Sequence, residues 1–399
     1  MPNLITTFSD LAKEHSIEIG AGRPRTVNID GYELPILRVA DVLDGKVQPR
    51  IEARTLNRDT QGAGSKVSRP GDVVLTTKGT VGRVALMPPD GPAFAYSPQL
   101  CYFRPAANGP LRSRFLYYWF KSAEFWNQAN ALKSQTDMAD FLSLGDLQRM
   151  QIGIPPLSRQ DAIIDLLGAV DDKIAVNDRI AATANQYCAA LFEDIVASNA
   201  KGTAELRDVA LINTRTVKPT ANGSLRYVDI SSVGDGTLTW PERTSWNDAP
   251  SRARRGISVG DTLWSTVRPN RRSHTLVLDE DPLLVASTGF AVLTPRGVGP
   301  AFLYESARRD EFVAYLESVA EGSAYPAVRA EKFLAAPIID VIDEHRDRFE
   351  ALAWSARLRT HSATQEIRVL AEIRGTLLPE LMSGRLRVKD AEKVVEEAV

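Results

Sequence analysis

The sequence predicts an α+β chain in which two tandem, pseudo-repeated globular domains are separated by two long helices that pair antiparallel, in the manner of a coiled coil. Three observations predict it. Between Ser158 and Ser198, apolar residues recur at spacings that alternate between four and three, a seam of period 3.5. The same seam returns 186 residues later, between Asp343 and Met382. Around the two seams, short stretches of the first half are echoed in the same order by the second.

Each half opens on an irregular mixed segment, Phe8 to Ala12 (FSDLA) answered by Leu206 to Ala210 (LRDVA). Short strand-like runs follow, separated by Gly, Pro and Asn turns: Asp72 to Thr77 and Arg83 to Met87 in the first half, Thr262 to Val267 and Thr275 to Leu278 in the second. GDVVL at Gly71 returns as GDTLW at Gly260, and LCYFRP at Leu100 returns as FAVLTP at Phe290. A compact aromatic helix comes next, Leu111 to Asn130 or Pro300 to Ser318, in which Phe115, Tyr118, Trp119 and Phe125 are expected to form core.

The first long helix then begins after Pro155-Pro156, with Ser158 as its expected N-cap. Its seam runs through Ile163, Leu167, Val170, Ile174, Asn177, Ala181, Ala184, Cys188, Leu191 and Ile195. At 1.5 Å per residue such a rod is roughly 60 Å long, and a narrow seam of this period requires a partner helix. The second copy offers Phe349, Ala353, Ala356, Ile367, Leu370, Leu377 and Leu381 at the matching positions, with Arg374 where the first has Cys188. One polar residue stands mid-seam in each, Asn177 and Thr360, where it can fix register at some cost in stability. The expected domains are residues 1–156 and 201–341 for the globules, 157–200 and 342–388 for the long helices, and 389–399 for an acidic tail. Two rods of opposite chain sense, each leaving one globule, predict a dumbbell with internal pseudo-two-fold symmetry.

Composition is that of an ordinary globular protein, 44% apolar and 25% charged over 399 residues. There is no apolar run long enough to span a membrane and no basic-then-apolar start, so the chain is expected to be cytoplasmic. Two cysteines, Cys101 and Cys188, make neither a disulfide scaffold nor a metal cluster and are read as small core residues. The net charge of −2 hides an uneven distribution. Between Lys46 and Arg83, eight Lys or Arg (46, 50, 54, 58, 66, 69, 78, 83) face three acids; between Ser251 and Ser273, six Arg (252, 254, 255, 268, 271, 272) face one Asp. One basic patch in each half is the electrostatic footprint of a nucleic-acid contact.

Catalytic signatures are missing from the sequence. It contains no Gly-x4-Gly-Lys-Ser/Thr, no His-Glu-x-x-His and no Asn-Pro-Pro-aromatic tetrapeptide; its four histidines are scattered, and Pro89-Asp90 lacks a following Glu-x-Lys. Gly79-Thr80-Val81-Gly82 reads as a hairpin turn. What remains is polar, basic loops on a β scaffold. In the first half these are Thr76, Thr77, Lys78, Thr80 and Arg83 with Tyr96, Ser97 and Gln99; in the second, Ser265, Thr266, Arg268, Asn270, Arg271 and Arg272 with Ser287 and Thr288. Arg fits guanine bidentately, Asn and Gln fit adenine, and Ser or Thr serve bases or phosphates. The rival reading is a helical scaffold or adaptor that binds other proteins without DNA specificity, the basic loops being incidental.

The two-copy layout, the runs GDVVLTTKGTVGRVAL and SPQLCYFRP, the helix opening IPPLSRQDAIIDLLGAVDDKIAVNDRI and the ending LLPELMSGRLRV together resemble the DNA-specificity subunit of Type I restriction–modification enzymes. The second copy departs from the pattern, with APIID at Ala336 where the first has IPPLS at Ile154. The resemblance implies two target-recognition domains, each reading one half of a bipartite sequence in double-stranded DNA, with the paired helices setting the unread spacer. It implies that two methyltransferase subunits dock around those helices and that restriction or motor subunits join them. It further implies that S-adenosylmethionine, ATP and Mg²⁺ are used by the partners, with no cofactor bound by this chain.

Overall fold

The computed structural model describes residues 3–22, 33–48, 55–57, 66–132, 134–135, 140–323 and 325–398. Arg50, Arg54 and Arg58 of the first basic patch lie outside them. The chain forms two compact units, residues 1–174 with 369–399, and residues 175–368.

The first unit is built on a four-stranded antiparallel sheet of β1 (Ile17–Ala21), β2 (Val73–Thr76), β3 (Val84–Leu86) and β4 (Leu100–Pro105), in the order β1-β4-β2-β3. Val73, Val74 and Leu75 are buried in succession because this sheet is covered on both faces. One face packs on α1 (Ser113–Phe120), where Phe8, Phe103, Trp119, Phe120 and Phe125 meet edge-on or tilted at ring separations of 4.7 to 5.5 Å. Such aromatic pairs add about 0.5–1.5 kcal/mol each beyond their burial. The single aromatic helix expected over residues 111–130 is two, because Ser122 breaks it: its buried hydroxyl donates to Trp119 O and accepts from Phe125 N at the start of Ala123–Leu132. Pro300–Ser318 divides the same way, at Arg308-Arg309.

The first 18 residues of α2 (Leu157–Asn199) belong to this unit. The helix starts one residue earlier than expected: Pro156 O accepts from Arg159 N and Gln160 N, so Ser158 lies inside the first turn and is not the cap. Gln160, fully buried, accepts from Arg112 N and donates to Pro110 O and Pro155 O. That gives the Gln of the IPPLSRQ run a task, fastening the helix to the turn before α1. Tyr118 of α1 donates to Asp171 (2.8 Å), which also receives Arg374 (2.8 Å).

The second unit repeats the first. Its sheet of β5 (Ala210–Ile212), β6 (Thr262–Ser265), β7 (His274–Leu276) and β8 (Phe290–Pro295) has the order β5-β8-β6-β7, antiparallel throughout. A second four-stranded sheet, Arg243–Ser245, Ser224–Val228, Leu284–Ser287 and Ala253–Gly256, lies beside it. α3 (Pro300–Ala307) stands where α1 stands. Its N-terminus is capped from another element: Glu350 accepts from Ala301 N (3.1 Å) and Phe302 N (2.8 Å). Gly299 makes room for this, since a Cβ there would lie 2.0 Å from the Glu350 carboxyl carbon.

His274, on β7, is buried against Trp264 and Tyr304, and its Nε2 lies 3.1 Å from Asp235. Burial holds its pKa below the ordinary histidine value of 6.5, with Asp235 opposing. The folded unit therefore resists a proton that the unfolded chain accepts, and stability is full above about pH 6.5 and falls as pH drops below it. Urea titrations at pH 7.5 and 5.5 should show a lower midpoint for the second unit at pH 5.5, and His274→Gln should shrink the difference. An equal difference in the variant would assign it to other groups.

The expected long helices are present. α2 continues in the second unit from Ala175 onward, alongside α4 (Asp343–Ser383), whose residues from Val369 lie in the first unit. Within each unit the two run antiparallel. In the first, Ile163 and Leu167 pack in one core with Leu377 and Leu381, and Val170 and Leu370 are buried too. In the second, Cys188, Phe192 and Ile195 pack with Phe349 and Ala353. Ile174, Leu191 and Ile367 are half-buried. Asn177 is 2% exposed and donates to Glu366 Oε2 at 2.8 Å, a bond from one long helix to the other. Thr360 only returns a bond to Ala356 O of its own helix.

Of residues 389–399, expected as an acidic tail, 389–398 fall in helix α5 (Val388–Ala398), and Val399 lies outside the described residues. Val388, Ala391 and Val395 recur at helical spacing and pack on the core of the first unit, leaving the acids outside.

Candidate nucleic-acid interface

In both units the strand preceding the basic loop ends in the same way. Thr77, after β2, donates its amide (2.9 Å) and hydroxyl (3.0 Å) to Gln99 O; Thr266, after β6, does the same to Gly289 O (2.8 and 2.9 Å). Thr77 O then accepts from Leu142 N, and Thr266 O from Val328 N. These bonds gather three chain segments at one end of each sheet. In the second unit a fourth joins them, because Thr288 N donates to Arg252 O.

Among the residues expected to face DNA, Lys78, Thr80 and Gln99 are exposed in the first unit, and Asn270, Arg271 and Thr288 in the second. Arg83, Thr266, Arg268 and Arg272 are half-buried. Thr77, Ser97 and Ser287 are buried and serve the turns; the Ser287 hydroxyl accepts from Gly289 N. Tyr96 is a core residue, contrary to expectation: it is fully buried, stacks on Tyr102 and donates to Asp72 Oδ2 at 2.7 Å. Burial and the Asp72 carboxylate push its pKa far up, so the ring stays neutral. Asp72 also receives Arg104 Nε and Nη2 at 2.6 and 2.8 Å, so the acid of the GDVVL run is the hub of a buried network. Its counterpart Asp261 binds Arg215 and Thr294.

The loop after β6 is unusual in its backbone. Arg268 (φ 52) and Arg272 (φ 51) are both left-handed and flank the single turn Pro269–Arg271. For a residue with a Cβ this conformation costs roughly 1–2 kcal/mol. It is held by Arg268 N donating to Pro326 O (2.7 Å), by the bridge of Val267 with Ala327, and by an Arg272–Asp310 ion pair. The Arg268 guanidinium lies 4.4 Å from the centroid of the Tyr325 ring, which is 68% exposed. Tyr325 and Arg252 thus stand beside the candidate residues of the second unit. Tyr325 had no sequence signal beyond one aromatic in a small-residue loop, and Arg252 stood in the basic patch but not among the candidate readers.

The family model for the Type I restriction modification DNA specificity domain matches residues 23–186. The second unit repeats the sheet order and loop anchoring of that half. A crystal structure of the S subunit of a Type I restriction–modification system from M. genitalium shares its fold, with TM-score 0.59 and 14% identity over 95% of each chain. The HsdS subunit from Thermoanaerobacter tengcongensis overlaps 93% of this chain and 97% of its own, at 18% identity and TM-score 0.33. A chain from a study of complex assembly and conformational transition in the type I R-M system overlaps 96% and 98%, at 19% identity and TM-score 0.41. Among curated protein sequences none matches. No helix among the described residues is long and apolar enough to cross a membrane, and no group of three or more His, Cys, Asp or Glu among them is placed to hold a metal ion.

Proposed function

We propose that this chain is the recognition subunit of a Type I restriction–modification complex, each recognition domain (residues 1–156 and 201–341) reading one half of a bipartite duplex target. The observation that carries the proposal is the repeated loop anchored on Thr77 and Thr266, which puts Lys78 and Thr80 in one unit, and Asn270 and Arg271 in the other, at equivalent ends of equivalent sheets. The long helices set the spacer and dock the methyltransferase subunits. In support, Val176, Ile180, Ala184 and Tyr187 form an exposed apolar groove with Ala356 and Arg359 in the second unit. Restriction or motor subunits complete the assembly. S-adenosylmethionine, ATP and Mg²⁺ belong to the partners, and this chain carries out no chemistry itself.

The test is to map methylation by the assembled complex. Lys78→Ala should relax one half of the target, and Asn270→Ala with Arg271→Ala the other. Duplex binding by the wild-type complex should fall steeply with salt, because Lys and Arg on phosphates release counterions. Salt-independent binding to partners with no duplex affinity would favour the protein scaffold instead. A variant that altered both halves would contradict two independent readers.

A further inference from the structure

Superposing the two repeats in sequence, with Thr77 matched to Thr266, pairs Arg268 with Gly79. Both are left-handed, Gly79 at φ 80 and Arg268 at φ 52. Gly79 meets this backbone without a Cβ penalty, whereas the second unit accepts strain at the same place and keeps an arginine. Strain that the surroundings hold in place marks a side chain retained for what it does. Here the side chain is laid on an exposed tyrosine ring, in a loop fixed at both ends by the Pro326 carbonyl and by Asp310. The same loop carries Asn270 and Arg271 into solvent beside Thr288.

We propose that Arg268, stacked on Tyr325, is a specificity-determining residue that reads a guanine through the major groove of the half-site bound by the second unit. The proposal rests on the DNA-reading function above. A phosphate needs only a nearby cation, which a flexible lysine or arginine on an unstrained loop supplies. A guanine O6/N7 edge needs a guanidinium held in one plane, and stacking on a ring holds it there. Arg272, tied to Asp310, keeps the loop in place, while Asn270 and Arg271 contact the neighbouring base pairs or backbone.

The experiment compares Arg268→Gly, Arg268→Lys, Tyr325→Phe and Tyr325→Ala in the full chain assembled with its modification subunits. Methylation is mapped over a plasmid library randomised at the target, and salt slopes are measured on one duplex. Arg268→Gly should leave the unfolding midpoint unchanged or raise it by up to about 2–4 °C, since the strain is relieved. It should reduce discrimination at a single G·C pair of one half-site by roughly ten- to hundredfold, with the other half-site and the salt slope unchanged. Arg268→Lys and Tyr325→Ala should show the same loss, and Tyr325→Phe should not. A uniform loss of affinity over all sequences, with a salt slope smaller by about one, would make Arg268 a phosphate contact and overturn the proposal. So would unchanged discrimination in Arg268→Gly or Tyr325→Ala. Failure of the DNA-reading function would look different: the wild-type complex itself would show no bipartite methylation.

Discussion

Arg357→Ala should destabilise the second unit by about 3–5 kcal/mol, because it leaves a buried carboxylate without its main cation. Arg357 is 4% exposed on α4; its guanidinium pairs with the equally buried Glu305 of α3, donates to Asn185 and lies 4.9 Å from the Tyr304 ring centroid. Arg308, 3.4 Å from the other Glu305 oxygen and partly exposed, is too far to replace it fully. Removing both charges, as Arg357→Met with Glu305→Gln, should recover most of the loss, since replacing a whole buried pair by groups of similar volume is close to neutral. Hydrogen exchange of the α3 and α4 amides reads the effect in this unit alone. If the single and double variants exchange equally fast, the loss comes from a cavity and not from the stranded charge. The same pair constrains any transplant of residues 201–341 from a relative, because an incoming domain without an acid at 305 strands Arg357.

Matched insertions of four residues, one near Asn177 and one near Glu366, should lengthen the preferred spacer of the methylated target by roughly one or two base pairs with both half-sites unchanged. Four residues add about 6 Å and overshoot a full turn by roughly 40°, so the seam nearly keeps its facing, and B-DNA rises about 3.4 Å per base pair. Both helices must be extended. Pairing is pinned on one side of the insertion by Asp171–Arg374 in the first unit, and on the other by the Cys188 thiol on Ala353 O in the second. Inserting into α2 alone should break one of these registers and abolish assembly. Two residues in each helix turn the seam by about 200° and should do the same. An active doubly extended variant with its original spacer would show that the helices serve for docking and do not set the spacing.

Much of this architecture was legible because its signals repeat. A seam of period 3.5 over forty residues is reinforced at every turn, and the echo of GDVVL by GDTLW marks two strands that do occupy the same place in two sheets. The buried networks were not legible. Arg357 follows a seam alanine, where the heptad pattern assigns it to the polar face, and its partner Glu305 lies on another helix. Phe192, one residue past Leu191, is buried while Leu191 is only half-buried, because it meets Phe302 of the globule as well as Phe349. Tyr96 misled for the same reason: a polar Tyr-Ser-Pro-Gln run following a basic stretch reads as surface, and only the distant Asp72 turns it inward. In the candidate interface, residue types pointed to two loops that do stand at equivalent ends of the two sheets, but the backbone strain at Arg268 and its tyrosine platform are properties of folded geometry.

The unlike charges along the two long helices bear on how the halves of the chain choose each other. The seam offset matches Asp171 of α2 with Arg357 of α4, and Cys188 of α2 with Arg374 of α4. Pairing the unlike helices sets Asp171 on Arg374 and leaves Arg357 beside the neutral Cys188, free to bind Glu305. Two copies of the first helix would set each Asp171 against a cysteine, and two copies of the second would bring Arg357 against Arg374. The two helices of the repeat are in this way complementary pieces and not interchangeable ones. Self-association of either piece now carries a stranded charge or a repulsion that union with the other removes.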